Sequence, residues 1–267
     1  MTTIGTDFLH RSIPNVDKTA YRLGLAVNKG IKAKAIEAAL TDTPVNYIYW
    51  TALSGKVTPV VRRALARDRD RYILATGPAF GFFGFQARHF THRILKLLKT
   101  DYLDILQIHW LGRMSAFTEG VKEEMVKLLE EGKVHSIGVS IHDRQRAGKL
   151  AAESPLNHFM VRYNAAHTGA EKDIFPYVDR SNTNICAYTA TRWGKLLERP
   201  RGWQGELMSP GDCYRFCLSN DYVNVVLTGP KNEEQLHENI ADLEKGPLRT
   251  EEDTWMREFG ASVRGSF

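Results

Sequence analysis

A histidine follows directly on a short apolar segment that has the length of a buried strand. The apolar residues of this segment are Leu103, Ile105, Leu106 and Ile108, and His109 follows them. An imidazole at the carboxyl end of a strand in a parallel α/β protein can orient a substrate or move a proton. The other interpretation is a structural histidine held by hydrogen bonds, which is the more frequent case for a lone histidine.

A second candidate site is the turn over residues 229–239, which reads Gly-Pro-Lys-Asn-Glu-Glu-Gln-Leu-His-Glu-Asn. It joins a predicted strand to a predicted helix. Free backbone N–H groups at the start of a helix, together with Lys231, can bind a phosphate. The alternative is an ordinary capped helix on the surface.

Strand-length apolar segments alternate with helix-length segments along the chain. The predicted strands are residues 20–27, 45–50, 72–76, 103–109, 134–140, 159–164, 184–188 and 223–228. A segment with helical spacing, such as residues 171–179, follows each predicted strand. Residues 6–19 are predicted to form a hairpin or arm that closes one end of the fold. Eight strand–helix units predict an α/β protein with a closed (β/α)8 TIM barrel, as one domain over residues 1–267, with the site in the loops after the strands.

Composition narrows the class of protein. The net charge of +5 suits a phosphorylated ligand, but no block of Lys and Arg indicates a nucleic acid. The cysteines, Cys186, Cys213 and Cys217, are too few for a disulfide framework and lack the neighbours of a metal site, so we expect them to be reduced. No apolar run predicts a membrane span or a signal peptide, so we expect a cytoplasmic protein without a metal.

Several segments, in chain order, resemble one known family. They are Asp-Tyr-Leu-Asp-Ile-Leu-Gln-Ile-His at residues 101–109, Leu-Leu-Glu-Glu-Gly-Lys-Val-His-Ser-Ile-Gly-Val-Ser at 128–140, Arg-Tyr-Asn at 162–164, and the turn at 229–239. With Arg-Leu-Gly-Leu at residues 22–25, they resemble the aldo-keto reductases. The resemblance implies a TIM barrel, the cofactor NADP(H) and reduction of a small carbonyl substrate.

The resemblance also implies which residues hold the cofactor. Tyr188 looks like the aromatic residue that stacks on the nicotinamide, and Ser140 looks like a contact of the carboxamide. Gly24 and Asn164 belong to the matching segments and are assigned to the same site. The residues assigned to the adenosine 2′-phosphate and adenine are Gly229, Lys231, Asn232, Gln235, Glu238 and Asn239.

The chain departs from the family pattern of Asp, Tyr, Lys and His at the catalytic positions. His109 matches, but Tyr49 stands where the aspartate is expected, and the loop after the second strand has no tyrosine. Gly77 replaces the lysine and is expected to leave the space of its side chain open. Losing both members of a buried ion pair is the stable way to abandon it, since removing one partner costs about 3–5 kcal/mol. Ile141 and Met160 replace the usual Asn and Gln around the carboxamide.

One interpretation is a divergent reductase. Tyr49 or Tyr47, whichever faces the mouth of the barrel, would supply a phenolic proton, and His109 would orient or protonate the carbonyl. The predicted lining of an apolar, aromatic substrate pocket is Trp50, Phe80 and Trp110.

The alternative is a barrel that binds NADP(H) or another phosphorylated ligand without catalysis and acts as a sensor or partner subunit. The absent Asp, Lys and loop Tyr favour it, whereas His109 and the phosphate turn favour the reductase. A third possibility is another TIM-barrel activity that uses His109, such as an isomerase or a lyase.

Overall fold

The computed structural model describes residues 7–29, 31–79 and 83–264. A short antiparallel hairpin, β1 (His10–Ile13) and β2 (Lys18–Tyr21), comes first. The next eight strands are β3 (Leu23–Ala26), β4 (Tyr47–Tyr49), β5 (Ile73–Thr76), β6 (Leu103–Leu111), β7 (Val134–Ile141), β8 (His158–Arg162), β9 (Asn184–Tyr188) and β10 (Val225–Thr228). They pair in parallel and in chain order, and β10 pairs with β3, so the sheet closes on itself. The predicted (β/α)8 TIM barrel is confirmed.

Helices cover the outside of the barrel, one after each strand. They are α1 (Ala33–Asp42), α2 (Thr58–Arg67), α3 (Gly84–Leu98), α4 (Glu119–Glu130), α5 (Arg144–Glu153), α6 (Ala170–Asp173), α7 (Pro210–Leu218) and α8 (Glu233–Leu243). A further helix, α9 (Thr250–Arg264), follows α8. Within the described ranges, no helix has the length and apolar character needed to cross a bilayer.

Two elements differ from their predictions. The predicted strand over residues 20–27 is divided at Arg22, which is buried and whose guanidinium donates to the carbonyl oxygens of Leu218 and Asn224. The predicted helix over residues 171–179 stops at Asp173. Pro176 is the reason, because a proline disfavours the helical conformation in the residue before it and cannot donate a backbone hydrogen bond.

Side-chain alternation along the strands creates an inner and an outer apolar layer. On β4, Tyr47 and Tyr49 point into the barrel, whereas Ile48 points out towards the helices. Ile13 and Val16 of the hairpin region pack into the same inner cluster. The hairpin therefore closes the amino end of the barrel, as predicted, and leaves the carboxyl end for the site.

A buried carboxylate strengthens the closed amino end. Asp104 on β6 is fully buried, and its two oxygens lie 2.8 Å from Nζ of Lys18 and 2.6 Å from a terminal nitrogen of Arg69. The backbone N–H of Leu74 also donates to Asp104, at 2.8 Å. Because a buried charge is tolerated only when it is paired and hydrogen-bonded, this cluster fixes β2, β5 and β6 relative to one another.

Candidate active site

Tyr49 and His109 meet inside the barrel, near the carboxyl ends of their strands. The phenolic oxygen of Tyr49 lies 3.4 Å from Nε2 of His109, and the ring centroids are 5.5 Å apart. The strand between theirs, β5, contributes Ala75 to the interior, whose small side chain allows the two rings to touch. The backbone N–H of His109 donates to the carbonyl of Pro78 at 2.8 Å, which fixes this end of β6.

Burial keeps both groups of this pair uncharged near neutral pH. Tyr49 is 3% exposed and His109 is 2% exposed. Loss of hydration lowers the pKa of His109 to about 3 and raises the pKa of Tyr49 above its ordinary value. The phenol therefore retains its proton, and the imidazole offers one N–H donor and one acceptor nitrogen.

Tyr47, the alternative phenol, lies deeper in the barrel. It is fully buried, with the thiol of Cys186 and the amide of Asn184 as its polar neighbours. Gly24 on β3 faces the same space, and an added Cβ there would lie 2.8 Å from the ring of Tyr47. The absence of a side chain at Gly24 thus makes room for a tyrosine of the core, and the assignment of Gly24 to the cofactor site stays a prediction.

A polar network that the sequence analysis did not identify lies below the Tyr49–His109 pair. The side-chain amide of Asn184 donates to Nδ1 of His158 at 2.9 Å, and Nε2 of His158 donates to the side-chain oxygen, Oε1, of Gln107 at 3.0 Å. Burial lowers the pKa of His158 to about 3, so this imidazole is neutral. The available signal was the period-two alternation, which places Gln107, between Ile105 and His109, on the inner face of β6.

Gly77 leaves no open space for a side chain, contrary to the expectation. A Cβ added at this position would lie 1.5 Å from the carbonyl oxygen of Gln107. No lysine, nor any other side chain, fits here unless β6 moves away from the loop after β5. The backbone of β6 therefore occupies the volume that a side chain at this position would need.

Three residues assigned to the nicotinamide lie in or next to the mouth. The hydroxyl of Ser140 on β7 is buried and has no hydrogen-bond partner among the described residues, so it can accept a ligand. The hydroxyl of Tyr188, at the end of β9, lies 2.9 Å from Nδ1 of His142. Asn164 donates to the carbonyl of Thr189 at 2.8 Å and accepts from the N–H of Ala166, so its amide ties two loops together.

Capping contacts organise the turn over residues 229–239. The side chain of Asn232 accepts from the N–H of Gln235 at 2.9 Å, and the side chain of Gln235 accepts from the N–H of Lys231 at 2.9 Å. Asn239 is buried and donates to the hydroxyl of Thr228 at 3.2 Å. The amides of Asn232, Gln235 and Asn239 thus stabilise the turn itself.

The other residues of the turn that were assigned to the cofactor are exposed. Lys231 and Glu238 are exposed, and Gly229 is also on the surface. Two carboxylates, Glu233 and Glu234, occupy the first turn of α8 and reduce the attraction of this helix end for an anion. Lys231 is therefore the cation of the turn that can reach a phosphate.

The three residues predicted to line an aromatic pocket do not share one location among the described residues. Trp50 is fully buried in the outer layer, where its indole N–H donates to Thr58 at 3.2 Å, so its assignment to the pocket was wrong. Trp110 is 45% exposed, and its ring lies 5.4 Å from the His109 ring, centroid to centroid. Phe80 lies outside the described residues.

No cluster of three potential metal ligands occurs in the described parts of the chain.

Comparison with known proteins identifies the family. A model of the "Aldo/keto reductase family" matches residues 14–202, which is well over half of the chain. The chain belongs to the aldo/keto reductase family. The match ends before the turn over residues 229–239, so the assignment of that turn to the cofactor stays a prediction.

Curated relatives from the family match this chain over part of its length. The aldo-keto reductase YhdN of Bacillus subtilis is 28% identical over 153 residues, which cover 53% of this chain and 46% of the relative. The methylglyoxal reductase YeaE of Escherichia coli is 31% identical over 160 residues, which cover 58% of this chain and 54% of the relative. The chain thus spans about half the length of these relatives.

Solved structures of the family agree with the fold. The holo form of the aldo-keto reductase AKR11C1 from Bacillus halodurans aligns with a TM-score of 0.77 and 21% identity, over 94% of this chain and 95% of that one. The glycerol dehydrogenase AKR11B4 from Gluconobacter oxydans aligns with a TM-score of 0.78 and 20% identity, over 98% of each chain. At these identities the likeness is one of fold.

Proposed function

We propose that this aldo/keto reductase reduces a small carbonyl compound with NADPH, and that Tyr49 is its proton donor. The observation that carries the proposal is the contact of 3.4 Å between the Tyr49 hydroxyl and His109 Nε2 in the interior near the mouth. Their burial excludes water and strengthens each hydrogen bond that a carbonyl oxygen makes there.

The cofactor assignment is supported at both ends of the proposed site. Ser140 contributes a buried hydroxyl without a partner, which suits the carboxamide of a nicotinamide. Tyr188 lies at the end of β9, next to the level of the barrel at which Ser140 lies. Lys231 provides an exposed cation beside α8 for a phosphate. When bound, the nicotinamide supplies the hydride.

The residues of the chain handle the proton. Tyr49 keeps its proton on the phenolic oxygen, because burial raises its pKa. Neutral His109 holds this hydroxyl and directs it towards the carbonyl oxygen, where negative charge develops. Without a lysine to lower the pKa of the phenol, Tyr49 is a weak acid, and we expect slow turnover.

One observation favours a second function, binding without catalysis. Because the carbonyl of Gln107 excludes a side chain at residue 77, the phenol has no neighbouring ammonium group from that position. A barrel that binds NADPH and reduces nothing would act as a sensor or a partner subunit.

A titration and a rate measurement separate the two functions. Binding of NADPH and of NADH is measured in separate titrations by the change in tryptophan fluorescence. Reduction of a panel of aldehydes and ketones is then measured by the change in absorbance of the reduced cofactor. We expect Tyr49→Phe to lower turnover by roughly 10²-fold or more, the loss typical of a missing general acid, with little change in the Kd for NADPH.

The matched control is Tyr177→Phe, which removes an exposed phenol far from His109 and should leave turnover unchanged. Unchanged turnover in Tyr49→Phe would exclude this residue as the donor. NADPH binding without turnover, in the wild type and in His109→Ala alike, would favour the second function.

A further inference from the structure

A small basic cavity lies on the rim of the barrel, next to the proposed nicotinamide site. Its volume is about 240 Å³, and it is bounded by the loops after β7 and β8 and by the end of α9. The side chains that give it its charge are Arg144, Arg162 and Arg264, and the imidazoles of His142 and His167 also line it.

Within the described ranges, the positive charge of this cavity is only partly neutralised. Arg144 pairs with Asp173 at 2.7 Å. Neither Arg162 nor Arg264 has a carboxylate partner among the described residues, and Nε of Arg162 is buried without any hydrogen-bond acceptor there. A buried donor without a partner costs free energy, which an incoming oxyanion would recover.

The neighbouring imidazoles respond to the same charge. Burial is the main cause that lowers the pKa of His142, and Arg162 lowers it further. Burial also lowers the pKa of His167, and Arg162 and Arg264 lower it further, whereas the hydrogen bond to the carbonyl of Ala166 raises it. The arginines of the cavity therefore act as positive charges on both imidazoles.

The cavity adjoins the proposed reaction site through Tyr188. Arg162 is the register partner of Tyr188 between β8 and β9, and Tyr188 contacts His142. The guanidinium of Arg162 also lies 5.0 Å from the centroid of the Trp193 ring, which holds it at the rim.

The cavity and the phosphate turn flank Tyr188 from opposite sides. In the barrel, β9 lies between β8, which carries Arg162, and β10, which leads into Lys231. A dinucleotide that reaches from the turn past Tyr188 to Ser140 follows the inner face of the barrel, whereas Ile141 and Val161, which line the cavity, belong to the outer layer. The cavity beyond Tyr188 is then available to the other reactant.

We propose that this cavity binds an oxyanion, a phosphate or a carboxylate, carried by the carbonyl substrate. The identity of the reactant rests on the proposed reductase function, whereas the oxyanion site rests on Arg162, Arg264 and the cavity itself. The substrate class is therefore a small aldehyde or ketone that bears a phosphate or a carboxylate group.

Isothermal titration of the protein with inorganic phosphate tests the site without catalysis. We expect saturable binding that weakens by roughly tenfold or more in Arg162→Gln and in Arg264→Gln. Arg264 is exposed, so its variant keeps the proposal testable even if Arg162→Gln does not fold. The matched control is Arg180→Gln, because Arg180 lies at the amino end of the barrel. We expect this variant to bind phosphate with the same affinity as the wild type.

Phosphate binding that survives in both variants but is lost in Lys231→Gln would place the phosphate at the turn of α8 and overturn the proposal. So would the absence of saturable binding in the wild type. Phosphate binding that depends on Arg162 and Arg264, in a protein without turnover, would support the oxyanion site and contradict the reductase function.

A pair of aldehydes that differ only in a phosphate group identifies the bound reactant. We expect glyceraldehyde 3-phosphate to have a higher kcat/KM than glyceraldehyde. In Arg264→Gln this preference should fall by roughly tenfold, mainly through KM, while the Kd for NADPH stays unchanged. Equal losses for both aldehydes, together with weaker NADPH binding, would assign the cavity to a cofactor phosphate and overturn the proposal.

Discussion

At the scale of single residues, the candidate site is defined by protonation states that burial sets. Tyr49 and His109 lie in contact and are almost completely buried, so the neutral form of each is favoured. A general acid in such a site relies on position and on the exclusion of water, since its pKa is far from neutral pH.

The pH profile tests these protonation states. We expect kcat/KM for carbonyl reduction to be constant between about pH 6 and about pH 9, because the pKa of His109 is about 3 and the pKa of Tyr49 is above its ordinary value of 10.0. The measurement is kcat/KM at each pH, with the Kd for NADPH as its control. A limb near pH 6.5 that disappears in His109→Gln would contradict this prediction.

At the scale of elements, α9 is attached to the barrel wall through one buried guanidinium. Arg215 on α7 is buried, and it donates to Glu252 on α9 at 3.0 Å and to the carbonyl of Gly246 at 2.9 Å. Because α9 ends at Arg264, this contact at its start helps to set where its other end meets the basic cavity.

Glu252→Gln tests this attachment. We expect the free energy of unfolding at pH 7 to fall by about 1.5–3 kcal/mol, the range for hydrogen bonds to charged groups, as measured by urea denaturation. Hydrogen bonding to Arg215 lowers the pKa of Glu252 from 4.5 to about 2 in the folded protein. The stabilisation is therefore complete above pH 4.5 and is lost as the pH falls towards 2.

The control is Glu258→Gln on the same helix, where the carboxylate is exposed and a change within about 0.5 kcal/mol is expected. A stability difference between Glu252→Gln and the wild type that does not shrink over this acid range would refute the role of the ion pair.

At the scale of the whole molecule, the residues that stabilise the barrel and the residues of the candidate site lie at opposite ends of it. The amino end is closed by the hairpin and by Asp104 with its two cations, whereas Tyr49, His109 and Tyr188 lie towards the carboxyl ends of their strands. This division is general for TIM barrels, in which the loops after the strands carry the site.

Asp104→Asn tests the division. We expect it to lower the free energy of unfolding by about 3–5 kcal/mol, because Lys18 and Arg69 lose their carboxylate. Thermal denaturation measures this loss, and Asp70→Asn, an exposed carboxylate at the same end, is the control. At a temperature where the variant is folded, cofactor binding should be unchanged. Lost binding without lost stability would contradict the division.

The fold was largely predictable because hydrophobic periodicity and strand length are local properties of the sequence. The errors have local causes as well: Arg22 ends the hairpin before β3 begins, and Pro176 shortens the helix after β8. The assignment of residues 1–267 to one domain stays a prediction.

The sequence by itself determined the barrel and the position of His109 at the end of a strand, because both follow from spacing along the chain. Only the tertiary structure decided which tyrosine meets His109, that Gly24 accommodates Tyr47 and that a backbone carbonyl fills the space at Gly77. It also decided that Arg162 and Arg264, far apart in sequence, line one cavity. These are contacts between distant segments, set by barrel closure and side-chain volume, which no local pattern records.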